Sequence, residues 1–568
     1  MTIVAVVAIV VASCSRPQGR TDADVVVERA VARAQEVTAG GPRVTGGPQP
    51  AQLATALEYQ VSGRTPLAPQ CDGVAGSGIL YDNAEVEPYI AVNPLVPTTM
   101  VGVWQQDRWS NGSARALVSA TSLDGGRNWT QQALPFSRCG GGNVFNGGNF
   151  ERASDPWVTY SPNGVVHAMS LSTSGGSFQV GSSNAMLVSR SFDHGRSWTS
   201  PIALILDSQS AFNDKNALTA DPKDAHYVYA VWDRLIAANN SGPTYFSRTT
   251  DGGATWETSR PIYDPGARNQ TIGNIVVVLA NGVLLNVFNR IVRPLGALQI
   301  SQVAVVRSLD RGVTWSAPVV VADMLAVGTR DPLSGAAIRD GSIVPEIAAG
   351  PGGEVYVVWQ DSRFNGGAFD SIAISRSNDG GLTWSAPARV NAVAGVPAFT
   401  PSVHVNADGV VGVAYYDIRN DTSAPTLLTD YWLARSSDGG ATWTDTRIAG
   451  SFDLLTAPNA NGFFLGDYQG LSSIDGEFVP FYARTNNGDT ANRTDIVAVR
   501  LPPGERTATT SAVLRTEMSA RRAPMPLHID SRLRLRVDRN LRRRLSGPPG
   551  VDPLSRALPH YRLSVLQH

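Results

Sequence analysis

Lysine is almost missing from this chain of 568 residues. Lys215 and Lys223 are the only two, so 45 of its 47 basic residues are arginine. That bias by itself assigns no function. Charged residues make up 17% against 42% hydrophobic, a globular rather than a disordered balance. Cysteine occurs three times, too rarely for a zinc ribbon or a thiolate-held cluster. No His is followed by Glu, which excludes a His-Glu-x-x-His zinc site, and neither Lys follows a Gly, which excludes a Walker loop. The nucleophile-elbow pattern G-x-S-x-G is absent. No metal and no cofactor are therefore expected. The one apolar run, residues 3–12, is too short for an ordinary membrane span. A strongly basic body is lacking too. The net charge of −1 divides into +8 over residues 503–568 and −9 over residues 1–502. An acidic body argues against nucleic acid as its partner.

Glycine and proline are plentiful, at 55 and 36 residues, as a turn-rich all-β chain requires. One pattern recurs six times. Ser436-Ser437-Asp438-Gly439-Gly440-Ala441-Thr442-Trp443 is matched by S/T-x-D-x-G-x-x-W at residues 122–129, 191–198, 249–256, 308–315 and 377–384. Its aspartates are Asp124, Asp193, Asp251, Asp310, Asp379 and Asp438, spaced 58 to 69 residues apart. A period near 60 residues sets the fold. An Asp carboxylate accepts backbone N–H bonds within its own turn, and Gly tolerates the positive φ of a tight hairpin. The hydroxyl caps the turn, and the Trp anchors it by packing.

These six units resemble the Asp box, or bacterial neuraminidase repeat, of sialidase-like β-propellers. The resemblance covers residues 80–500 at the level of repeats. It implies a brace for a hairpin rather than chemistry. It also implies an exported, carbohydrate-directed propeller, with exo-sialidase-like glycoside hydrolysis as the activity to test. A non-catalytic glycan- or protein-binding scaffold is the alternative. Sialidases carry a Phe/Tyr-Arg-Ile-Pro motif at an early strand. This chain has none, and its first opening reads Pro88-Tyr89-Ile90-Ala91.

Short apolar strands open each repeat, at Glu87 to Val92, Asp155 to Val158, Asp214 to Thr219, Gly273 to Val278, Pro345 to Ala348, Pro401 to Val405 and Gly466 to Tyr468. Further strands follow each opening, and four per repeat make a propeller blade. The expected fold is a single all-β propeller of four-stranded antiparallel blades, seven in number with six as the alternative. After Arg500 the last repeat runs into Leu501-Pro502-Pro503 where its Asp turn should stand. An N-terminal strand, Ile79-Leu80-Tyr81, is expected to supply the missing outer strand and close the ring.

The flanks differ from the repeats. Residues 1–14 read as a signal peptide ending in Val11-Ala12-Ser13-Cys14, which looks like a bacterial lipobox with Cys14 lipidated. No Lys or Arg precedes the apolar run. The protein is then exported to a bacterial envelope, anchored by lipid or secreted, and monomeric. Residues 15–75 read as a flexible tether, 76–505 as the propeller, and 506–568 as an Arg-rich disordered tail. The two remaining cysteines, Cys71 and Cys139, are expected to form one disulfide.

In a four-stranded meander the Asp turns lie opposite the strand openings, so the opening face is the candidate for function. Second strands end there in an arginine signature: Arg108, Arg234, Arg290, Arg363, Arg419 and Arg484. Acids accompany it at Asp107, Asp233, Asp361 and Asp417, with Tyr416 beside the last. Glu87, Asp155, Asp214, Glu346 and Asp467 stand at the openings. Two readings remain open. In one, the arginines converge on an acidic sugar, because guanidinium binds carboxylate in a fork, and the acids or Tyr416 supply catalysis. In the other, each Asp pairs with a nearby Arg and ties blades together. Trp104, Trp157, Trp232, Trp359 and Trp432 either stack sugars or pack the core.

Overall fold

The computed structural model describes residues 57–74, 78–294 and 298–501. Cys14, the remainder of residues 1–56 and the Arg-rich stretch 506–568 lie outside the described residues.

Strands dominate, and they come in antiparallel groups of four. The first group is Leu80–Val92, Met100–Trp109, Ala114–Ser122 and Thr130–Ala133. Later groups open with Arg152–Tyr160, Ala211–Ala220, Gln270–Val278, Glu346–Ala349 and Ala398–Val405. The last opens with Gly470–Ile474, followed by Glu477–Thr485 and Thr494–Arg500. Single bridges, Ala84 to Thr494 and Ala114 to Ala153, join the last, first and second groups into one larger sheet. The opening strands lie against one another in chain order, and Gly470–Ile474 also lies against Leu80–Val92. The arrangement is all-β and consistent with a β-propeller, with the opening strands innermost.

Burial follows from this stacking. Second strands such as Met100–Trp109 and Val355–Asp361 are buried along their whole length. Outer strands such as Val319–Asp323 are partly exposed. Sheets packed face to face cover both faces of an inner strand. Trp104, Trp232, Trp359 and Trp432 are fully buried, and Trp157 is buried beside Tyr89. All five tryptophans serve packing, not an open sugar platform.

Each Asp turn is held by the same bonds. In the third, Thr249 Oγ1 donates to Asp251 Oδ1 at 2.8 Å and accepts from Gly253 N at 2.8 Å. Asp251 accepts from Thr255 N at 2.9 Å and from Thr255 Oγ1 at 2.6 Å. Gly253 and its equivalents sit at φ between 83° and 92°, where a Cβ is strained. These donors favour the charged carboxylate and hold Asp251, Asp310 and Asp379 down at about 2.

The missing outer strand of the last group is Leu57–Gln60, paired antiparallel with Thr494–Arg500. Leu80 and Tyr81 instead pair with Trp109 and Arg108 in the first group. The expectations of an Ile79–Tyr81 closing strand and of a tether reaching residue 75 are both corrected. No apolar pattern in the sequence marks this strand, because its side chains are mostly exposed. Backbone and polar bonds place it: Val61 N donates to Ile496 O at 2.9 Å, and Tyr482 Oη donates to Glu58 at 2.9 Å. Beyond it, Thr65 Oγ1 donates to Asp107 at 2.8 Å, and Cys71 is bonded to Cys139 across a separation of 68 residues.

Two outcomes follow. Replacing Cys71 and Cys139 together by Ser lowers stability by about 4 kcal/mol, since a loop of this length is freed in the unfolded chain. Denaturant unfolding of the oxidised parent beside the double variant measures it. Asp310→Ala lowers the thermal midpoint near neutral pH. A carboxylate with a depressed pKa stabilises above its ordinary value of 3.8 and loses that contribution as pH falls through about 2. The gap between parent and variant therefore narrows from about pH 5 downward.

Candidate functional site

The opening strands share a defect in their ladders. Register breaks between Val86 and Tyr89, Ser154 and Trp157, Asp214 and Ala217, Ile272 and Ile275, and Phe399 and Ser402. The bulged residues have positive φ: Glu87 at 54°, Asp155 at 52°, Lys215 at 44°, Gly273 at 71° and Thr400 at 48°. Proline follows three of them, where a bulge already interrupts the ladder. Left-handed backbone costs a Glu, Asp or Lys about 1–3 kcal/mol and persists only where packing enforces it. Bulges re-aim side chains, and here three consecutive ones aim charged groups at each other.

Lys215 is the hub. Its Nζ lies 2.5 Å from Asp467 Oδ2, 3.5 Å from Glu87 Oε1 and 3.9 Å from Asp155 Oδ1. Its backbone N–H donates to Asp155 Oδ2 at 2.9 Å. Arg339 shares that Asp467 oxygen, with Nη2 to Oδ2 at 2.7 Å, and its Nε donates to Asp467 Oδ1 at 3.1 Å. Gln105 donates to Glu87 Oε2 and to Ser154 Oγ, and its Oε1 accepts from Arg108 Nη1 at 3.1 Å. Ser154 Oγ donates in turn to Asp155 at 3.0 Å. Glu87, Asp155, Lys215, Arg108 and Asp467 are all buried.

The charges set each other. Burial, with Asp155 and Asp467 nearby, raises Glu87 above the usual carboxylate range against the pull of Lys215. Burial likewise raises Asp155. Burial alone would raise Asp467, but Arg339 and Lys215 hold it far below. Burial disfavours the Lys215 ammonium, yet Asp467, Asp155 and Glu87 outweigh it and keep it charged. The result is two carboxyls that burial shifts toward the protonated form, Glu87 and Asp155, beside the ionised Asp467 and a fixed cation.

Aromatic rings back the cluster. Tyr89 stacks on Trp157 at 3.8 Å, and Trp157 lies 5.3 Å from Tyr468. A small sheet joins Thr329–Arg330 and Ala337–Arg339 to Phe463–Phe464. The Phe464 ring sits 4.4 Å from the Arg339 guanidinium and 5.1 Å from that of Arg108. Glu346 is buried with its Oε1 unpartnered, and burial pushes it up to about 8.

The predicted arginine row does not converge. Arg234 pairs with Asp207 at 2.7 Å, Arg363 with Asp361 at 2.7 Å, and Arg419 with Asp417 at 2.5 Å and Asp445 at 3.1 Å. Arg484 lies 3.5 Å from Glu58, and Arg290 donates to Tyr263 and Gln302. Of the six, Arg108 alone joins the central cluster. The acid candidates are also dispersed. Asp107 accepts from Thr65 and Asn83, Asp361 from Trp359 and Arg363, and Asp233 from Gly273 and Asn274. Tyr416 is buried and donates to Ala483 O at 2.7 Å.

A stitch explains much of that repeated signature. The residue after the second-strand aromatic reaches the next group. Gln105 donates to Ser154 Oγ at 3.1 Å, and Asp233 accepts from Gly273 N at 3.2 Å. Asn289 donates to Ile343 O at 3.1 Å, and Gln360 accepts from Thr400 N at 2.9 Å. Sequence reasoning placed Glu87, Asp155 and Asp467 at the openings but took Asp214 where Lys215 holds the bulge. The rarity of lysine was the available signal.

No protein-family model matches the chain, and no curated protein matches it. Among solved structures it is similar to a Dyadobacter fermentans protein of unknown function, at 15% identity and a TM-score of 0.42 over 74% of this chain and 96% of that one. It is also similar to the Penicillium chrysogenum alpha-L-arabinanase complexed with arabinobiose, at 14% and 0.39 over 61% and 93%. A Trypanosoma rangeli sialidase mutant displaying trans-sialidase activity aligns at 14% and 0.41 over 83% and 63%. These scores are low, so the fold stands on the chain's own sheets.

Glu346 gives a pH test. Unfolded, it ionises near its ordinary 4.5; folded, it keeps its proton to about 8. The native state binds the extra proton, so this group lowers stability as pH rises between those values. Glu346→Gln therefore raises the thermal midpoint more at about pH 8 than at about pH 5, as paired melting curves record.

Proposed function

We propose that the chain is a carbohydrate-directed glycoside hydrolase working at the centre of a closed ring of seven four-stranded blades. The observation that carries this is the convergence of Glu87, Asp155 and Lys215 from three consecutive strained bulges. Paired carboxyl groups are the means of glycosidic cleavage. In this reading Glu87 gives its proton to the glycosidic oxygen as the C–O bond breaks. The Asp155 carboxylate steadies the positive charge at the anomeric carbon. Water adds its hydroxyl there, and its proton returns to Glu87. Lys215, pinned by Asp467, holds both carboxyl groups in place. The repeated Asp turns, which resemble those of sialidase-like propellers, point to the same substrate class. Successive contacts of the opening strands and the Leu57–Gln60 strand support ring closure. Export, lipidation at Cys14 and a monomeric state complete the proposal, and the disulfide suits an oxidising compartment.

A second reading, a non-catalytic glycan- or protein-binding propeller, is favoured by one observation: the central charges are paired with one another beneath Phe464. The full chain, assayed on a fluorogenic sialoside and a panel of aryl glycosides, decides between them. Hydrolysis is expected, with Glu87→Gln and Asp155→Asn each lowering kcat by about 10²-fold or more, and Arg363→Ala by under about tenfold. No turnover of any glycoside, with glycan-array binding lost in Lys215→Ala, leaves the binder.

A further inference from the structure

A second feature stands on the same end of the molecule as the charged cluster. The loop between Thr130–Ala133 and Arg152–Tyr160 ends where the second opening strand begins, so it belongs to the opening face and not to the Asp-turn face. Its tip carries Phe145, 97% exposed, and Val144, 70% exposed. Isolated apolar residues on a surface are ordinary. This one is mounted on a braced support. Asn143 Oδ1 accepts from Phe145 N at 2.9 Å and Asn146 N at 3.2 Å. Asn146 Oδ1 accepts from Asn143 N at 2.8 Å and Gly148 N at 3.0 Å. Both Asn amides also donate to Gly141 O. A Cβ at Gly142 or Gly148 would meet backbone oxygen at 2.0 Å, so the loop can close only with glycine there. Cys139, at its base, is fastened to Cys71.

We infer that Phe145 is a subsite that stacks on a sugar ring of a chain-like, uncharged glycan, other than the ring whose bond is cut. The inference deepens the hydrolase reading by naming the substrate class, an oligo- or polysaccharide. A flat ring held out by a stiff loop offers stacking area at little entropic cost. The asparagine side chains are committed to the loop, so the tip offers a sugar its ring face and no charge. The acidic body of residues 1–502, at −9, disfavours an anionic membrane as occupant. Glu151 accepts from Gly175 N at 2.9 Å and ties the loop to the next turn, which presents Val180 at 92% exposure.

Affinity electrophoresis of the full chain in gels containing soluble arabinan, xylan or mannan tests this. Retardation by at least one of them is expected, falling about tenfold in strength in Phe145→Ala, with Phe145→Trp restoring it. Turnover of aryl glycosides changes by less than about twofold in the same variant, because a single-sugar substrate has no second ring to place on Phe145. Equal thermal midpoints show that both variants are folded. Undiminished retardation of Phe145→Ala, or no retardation of the parent by any polysaccharide, overturns the subsite. Retardation that depends on Phe145 without turnover of any glycoside keeps the subsite and removes the hydrolase.

Discussion

The Lys215 ammonium, held by Asp467, Glu87 and Asp155, is the interaction on which the centre of this protein depends. Its partners come from the first, second and last groups of strands, while the lysine comes from the third. A buried cation of this kind is costly to desolvate and is retained only with several well-placed anions. Removing one partner leaves an uncompensated charge, so four elements far apart in the chain must arrive together. The bulges make that possible. Without the extra residue in each ladder, Glu87, Asp155 and Lys215 would follow strand alternation and could not all aim inward.

Two kinds of repetition have to be separated in such a molecule. The Asp turns and the residue after each second-strand aromatic recur because each group needs the same hairpin brace and the same link to its neighbour. Asp233, Asn289 and Gln360 differ chemically, yet each engages the opening of the next group. Repetition there reports construction. The bulge position recurs in backbone and not in chemistry: Glu, Asp, Lys, Gly and Thr occupy it in turn. A binding or catalytic centre needs unlike groups from like positions, and this is where the unlike groups are.

Much of the architecture was legible in the chain. Six Asp turns announced the period, the strand openings marked every inner strand but the last, which is Gly470–Ile474 and not Gly466 to Tyr468, and the two cysteines left one pairing. The arginine signature was legible but pointed elsewhere. Arg234, Arg363 and Arg419 each have a carboxylate within 2.7 Å, and a guanidinium so occupied is a tie. Leu57–Gln60 was hidden because an outer strand with exposed side chains is specified by backbone bonds, which leave no apolar pattern.

The order of residues by itself determined the all-β class, the spacing of the braces and the set of residues at each opening. Those are local properties: a turn's hydrogen bonds lie within about five residues, and a strand's pattern within about ten. Which charged groups meet is not local. Asp467 lies 252 residues from Lys215 and 128 from Arg339, and only the folded chain brings the three together. Tertiary structure also decided that the arginines of the signature are engaged by neighbours, because a pair is made by distance in space, and sequence spacing does not carry it.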